Sequence, residues 1–257
     1  MGAEPSVQNA PIIYPETDRM GEGELQRLIA ELLRPLLAEF LASRGIVAHV
    51  GADQFLYFVE GFPTERVAPD IYVLPGVAQS RVQPSWKVWE LDAPPAFVLE
   101  VVSRDVAKDY EDVPVACDRM GVEELIVFDP EAPLAPGRVV RRDLERVRFQ
   151  LFQRKEGRLA RVAATNDDRV ESRWLGAWIR AVGQGTEVRL RVGVGSDGEE
   201  LVPTAGERAE AEHARAETAS ARAEAESARA EAESTRAEAA ERRVAELLEE
   251  LARVRRG

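Results

Sequence analysis

The chain has 257 residues, 45% of them hydrophobic, and 34 Lys and Arg against 46 Asp and Glu give it a formal net charge of −12. That composition suits one sizeable globular core and leaves little room for a second full domain. No run approaches the roughly 18 apolar residues of a membrane span, and the N-terminus MGAEPSVQNAPIIYPETDR lacks a cationic, apolar leader, so a cytoplasmic protein with no membrane partner is expected.

After that lead, assigned to residues 1–20, Leu25, Leu28, Ile29, Leu32, Leu33, Leu36, Leu37, Phe40 and Leu41 recur at helical spacing. They predict an amphipathic helix ending near Gly45, with Pro35 expected to kink it. Ile46 to Val59 (IVAHVGADQFLYFV) reads as a strand pair turning at Gly51 and Asp53, and Ile71 to Leu74 and Phe97 to Val102 read as buried strands. Tyr110 to Met120 is weakly helical around Pro114, and Leu125 to Phe128 is the next buried strand. Arg138 to Arg142, Val147 to Phe152 and Arg158 to Val162 alternate as an antiparallel meander would. Leu175, Trp178, Ile179 and Val182 suggest a short amphipathic element, and Val188 to Val192 a late strand. The fold class expected for residues 21–204 is therefore α/β with a mixed sheet.

Residues 205–257 form a tail of different character. From residue 214 it repeats ARAETAS, ARAEAES, ARAEAES, TRAEAAE, a seven-residue period filled by strong helix formers. One column of the repeat is Ala216, Ala223, Ala230, Ala237, Val244 and Leu251, and the column three later is Ala219, Glu226, Glu233, Ala240, Leu247 and Val254. Glutamates at two inner positions would be desolvated on pairing, so the early repeats read either as a solvated helix or spacer or as a partnered helix. The segment from Ala237 carries a coiled-coil seam, and a projecting helix that holds copies together in a homo-oligomer is expected.

Charge and scarce residue types narrow the chemistry. The tail from Ala205 holds 10 Lys and Arg against 13 Asp and Glu, leaving 24 against 33 for the remainder. An acidic body argues against tight non-specific gripping of nucleic acid but is silent on one local groove. Cys117 is the lone cysteine and His49 and His213 the two histidines, which excludes an intrachain disulfide and Cys/His metal chemistry. Lysine occurs only at Lys87, Lys108 and Lys155.

Two carboxylates stand out: Asp70, opening one apolar strand, and Glu100, set among Val98, Leu99, Val101 and Val102. A buried charge in that setting requires a partner or a metal. Asp70 and Glu100 on adjacent strands would make an oxygen-rich site for Mg²⁺ or Mn²⁺, which can hold a phosphodiester oxygen and acidify a water. Strand alternation that turns Glu100 to solvent is the competing reading.

The segments APDIYVLPGV, SWKVWE, PPAFVLEVVS and GVEELIVFDP occur in that order, after YPETDR and before LGAW and an alanine-rich heptad tail. Together they resemble the Uma-type restriction endonuclease family of the PD-(D/E)XK nuclease superfamily. The resemblance implies a restriction-endonuclease-like domain over residues 21–204 and metal-dependent hydrolysis of DNA phosphodiester bonds, with Asp70 and Glu100 as catalytic and metal-binding carboxylates. Superfamily members usually carry a lysine two residues after the glutamate, where this chain has Val102. The Uma-type pattern instead takes its lysine from the following helix, with an aspartate four residues before it and a tyrosine four after. Those positions here are Val113, Asp109 and Cys117, so only the aspartate is kept.

Lys108 is the nearest cation to stand in, and its alternative reading is a solvent-exposed loop lysine. Lys87, Trp86 and Trp89 read as structural, Cys117 as a small buried residue, and Glu24 or Glu31 as a third metal ligand or as plain surface charge. The chain is thus read as an endonuclease using Asp70, Glu100 and Lys108, or as a catalytically inactive nuclease-fold module that pairs through its C-terminal helix. A body that binds protein, like a nuclease in fold alone, is a third reading.

Overall fold

A computed structural model describes residues 23–134, 139–141 and 144–255. The lead at residues 1–20 and part of the expected strand from Arg138 to Arg142 lie outside them. The chain divides into two compact units that meet at Val202 and Pro203.

The first unit opens with α1 (Glu24–Ser43), which continues through Pro35 and buries Ile29, Leu33, Leu36, Leu37, Phe40 and Leu41 along one stripe. The strands that follow are β1 (Ala48–Gly51), β2 (Leu56–Tyr57), β3 (Arg66–Val67), β4 (Ile71–Pro75), β5 (Trp86–Lys87) and β6 (Phe97–Val101). A π-helical turn, Lys108–Asp112, leads into α2 (Val113–Met120), which Gly121 ends in the left-handed region with φ 90°. Next come β7 (Glu124–Phe128), β8 (Val139–Arg141), β9 (Leu144–Glu145), β10 (Phe149–Lys155), β11 (Arg158–Thr165), β12 (Arg169–Ser172), β13 (Ala177–Val182), β14 (Arg189–Val194) and β15 (Glu200–Leu201).

The central sheet runs β1-β4-β6-β7-β10-β11, with β6 and β7 parallel and every other pair antiparallel. The fold is mixed α/β. Both faces of the sheet are covered, which explains why β4, β6 and β7 read as continuous apolar runs rather than alternating ones. Phe97, Leu99 and Val101 face a core shared with α1 and with the sheet β12-β13-β14-β15. Val98 and Val102 face a second core shared with α2, Leu56 and Trp86. Glu124 joins the two sheets: its buried carboxylate accepts hydrogen bonds from the Ser172 hydroxyl, the Arg173 amide at 3.1 Å and Gln153 Nε2 at 3.0 Å.

Several sequence-based expectations are corrected. Ile46 to Val59 is not a strand pair, because β1 pairs with β4 while β2 pairs with β3 and β5 in a separate small sheet. β8 and β9 pair with each other in a separate two-stranded antiparallel sheet rather than joining β10 and β11. The short amphipathic element expected at Leu175 to Val182 contains strand β13, whose residues alternate between buried and half-buried until Val182.

The second unit contains α3 (Ala205–Val254). Thr204 caps it, accepting from the Glu207 amide at 3.2 Å while the Glu207 carboxylate accepts from the Thr204 amide at 2.7 Å. No helix among the described residues is long and apolar enough to cross a membrane.

Candidate active site

Antiparallel pairing of β4 with β6 sets Ile71 opposite Leu99, and continuing that register by one residue brings Asp70 opposite Glu100. Each carboxylate reaches the other strand. Asp70 Oδ2 accepts from the Val101 amide at 2.6 Å, and Glu100 Oε2 lies 3.4 Å from the Asp70 amide. Both side chains are buried. Glu100 therefore does not turn to solvent: alternation puts it on the same face as Val98 and Val102, and that face is roofed by α2.

Burial pushes the Glu100 carboxyl well above the usual carboxylate range, and the negative charges of Asp70 and then Asp109 add to the effect, against a smaller opposing pull from Lys108. Asp109 Oδ2 is engaged by the Ser103 amide at 2.6 Å and the Ser103 hydroxyl at 2.8 Å, while its buried Oδ1 accepts no hydrogen bond and has the Lys108 ammonium 3.8 Å away.

Glu100 lies in the wall of a cavity of about 370 Å³ together with Lys108, Val113 and Cys117, with Phe55 and Arg66 contributing from the small β2-β3-β5 layer. The volume falls in the ~300–1,000 Å³ range of small-ligand sites. Lys108 is thus not a loop lysine; it sits on the π-helical turn with its side chain 39% exposed. Val113 and Cys117 are one α-helical turn apart and share the cavity-facing side of α2. Burial and then the Glu100 charge push the Cys117 thiol up, which keeps it an inert packing residue rather than a thiolate nucleophile.

The π-helical turn is anchored from behind. Tyr110 donates its hydroxyl to Asp129 Oδ2 at 2.8 Å and accepts from the Val147 amide at 3.1 Å. Arg146 closes a bidentate pair on Asp129, Nε to Oδ2 and Nη2 to Oδ1, each 2.6 Å. The buried Asp129 at the end of β7 therefore locates the segment that carries Lys108 and Asp109.

Other candidates fall away from the cavity. Trp86 is a buried anchor whose Nε1 donates to the Tyr72 hydroxyl at 2.8 Å, Trp89 is half-buried, and Lys87 pairs with Glu90 at 3.1 Å. Glu24 is exposed, and Glu31 is exposed and paired with Arg27 at 2.6 Å; neither lines the cavity. Phe55, Thr64, Arg66 and Asp112 line it without any sequence signal that singled them out: the first three come from short strands and turns, and Asp112 ends the π-helical turn that carries Lys108.

Among the described residues no group of three or more His, Cys, Asp and Glu converges as a complete metal cage. The donor set of Asp70 and Glu100 nonetheless fits a hard divalent cation of the Mg²⁺ type, which takes one or two carboxylates and fills its remaining positions with water and phosphate oxygens.

Residues 12–183 match the model of the Uma2 family, described as "Putative restriction endonuclease". A crystal structure of a "putative nuclease belonging to DUF820" from Anabaena variabilis ATCC 29413 is similar at 13% identity and a TM-score of 0.39, over 61% of this chain and 76% of that one. No curated protein matches the chain.

Proposed function

The chain belongs to the Uma2 family of restriction-endonuclease relatives, and from that premise we propose that it is a divalent-metal-dependent endonuclease acting on DNA. The observation that carries this reading is the facing pair of buried carboxylates, Asp70 and Glu100, beside a cavity that also receives the Lys108 side chain. Asp70 and Glu100 hold Mg²⁺ or Mn²⁺. When bound, the metal supplies a Lewis acid for a phosphate oxygen and a water acidified for attack on phosphorus.

The remaining work belongs to the chain. The Val101 amide holds Asp70 Oδ2 and so orients the carboxylate. Burial and the neighbouring acids favour the protonated form of Glu100, so a cation would compete with a proton there and bind less well in acid. Lys108 stands where its ammonium can meet a non-bridging phosphate oxygen as charge develops, and Asp109 steers it. The apolar side of the cavity, Phe55, Val67 and Ala116, offers the sugar and base a surface that excludes water.

Plasmid cleavage by purified protein in Mg²⁺ or Mn²⁺ tests the proposal. Asp70→Ala should abolish cutting, and Lys108→Ala should slow it by roughly a hundredfold, the scale for removing one electrostatic stabiliser. Metal binding without cleavage by the wild type would favour the other reading, an inactive nuclease-fold module, in which Val113 and Cys117 have replaced the catalytic side of α2.

A further inference from the structure

The C-terminal helix ends in a stripe that its own unit leaves uncovered. Val244, Leu247, Leu248 and Leu251 are 56%, 45%, 64% and 54% exposed, and three of them fall in the two inner columns of the heptad repeat. Branched apolar residues at that spacing make a coiled-coil seam. The stripe therefore calls for a second helix, and the flanking charges indicate which one.

In a parallel, in-register pair each residue just before the first column meets the residue five further along the partner. Arg236 would face Glu241 of the partner, Glu250 would face Arg255, and Arg243 would lie beside Leu248. Both charged meetings are attractive and no like charges face each other across these positions, so an identical chain is its own complement. Towards the N-terminus the match ends. Glu233 and Glu226 occupy inner positions, where two copies would place carboxylates against each other.

We infer that two copies of this chain pair in parallel and in register through Ala237 to Arg255. Each copy brings its own body, so, resting on the nuclease reading, one assembly carries two Asp70–Glu100 sites.

The test uses the full chain. Sedimentation should return twice the 28.4 kDa chain mass, and Leu247→Glu with Leu251→Glu should return the single mass with the body still folded by near-UV circular dichroism. Ala240→Cys should oxidise to a disulfide-linked dimer, because parallel register places the two copies of residue 240 side by side; the wild type should not, since Cys117 is buried. A monomeric wild type, or a dimer that Ala240→Cys does not cross-link, overturns the inference. Neither readout depends on cleavage, so a dimer that fails to cut DNA would sink the nuclease reading and leave the pairing intact.

Discussion

Lys108 and Val113 line the same cavity although they are five residues apart on one helical stretch. A regular α-helix would turn them to different sides. The π-helical turn Lys108–Asp112 closes hydrogen bonds over five residues and so brings the two into line. Lys108 and Val113 thereby share the cavity with Glu100.

Val113→Lys tests that equivalence. Its stem would replace apolar wall and its ammonium would find Glu100 in the same cavity, a partner for an otherwise costly buried charge. Cleavage should rise, and in a Lys108→Ala background Val113→Lys should recover much of the roughly hundredfold loss. Unchanged rates in a folded, metal-binding double variant would show that the two positions are not interchangeable.

The carboxylate pair should make stability depend on pH. Glu100 is held above its unfolded value, so between the ordinary carboxylate range and its folded value the native state binds more protons than the unfolded state. Stability is then full in mild acid and declines as pH rises. Glu100→Gln should raise the melting temperature of metal-free protein at pH 8, with the gain shrinking towards pH 4. Mg²⁺ should raise the wild-type melting temperature and do so far less for the variant. A variant melting below wild type at pH 8 would contradict this account.

Asp129 has a structural task. Replacing it with Ala leaves the buried Arg146 without its bidentate partner and should cost about 3–5 kcal/mol in urea unfolding. Tyr110→Phe removes only the hydroxyl bonds and should cost about 1 kcal/mol. Equal costs for the two would show that Tyr110, rather than the ion pair, holds the π-helical turn.

Gly51 abuts the Tyr72 ring, where an added Cβ would stand 2.2 Å from Cζ and from the hydroxyl oxygen. Tyr72 cannot retreat, since its hydroxyl is bonded to Gln54 and Trp86 inside the second core. Gly51→Ala should destabilise by about 1–3 kcal/mol through overpacking, read as a lower denaturation midpoint at unchanged m-value.

What the sequence alone determined was local and periodic. The α1 stripe, the buried runs of β4, β6 and β7 and the long C-terminal helix follow from spacing and propensity, which act between near neighbours. The motif order led to the family, and the isolated charge at Glu100 marked a place where burial needs compensation. Tertiary structure decided the rest. Glu100 could not be assigned to a face from its alternation, because a strand covered on both sides gives no polar face to read, and only packing under α2 settled it. Lys108 looked like a loop residue because a π-helical turn has no propensity signature; Tyr110 held by Asp129 and Val147 ties that turn to the sheet across long loops. Phe55, just before the two-residue β2, and Arg66, in the two-residue β3, reached the cavity from strands too short for any period to register.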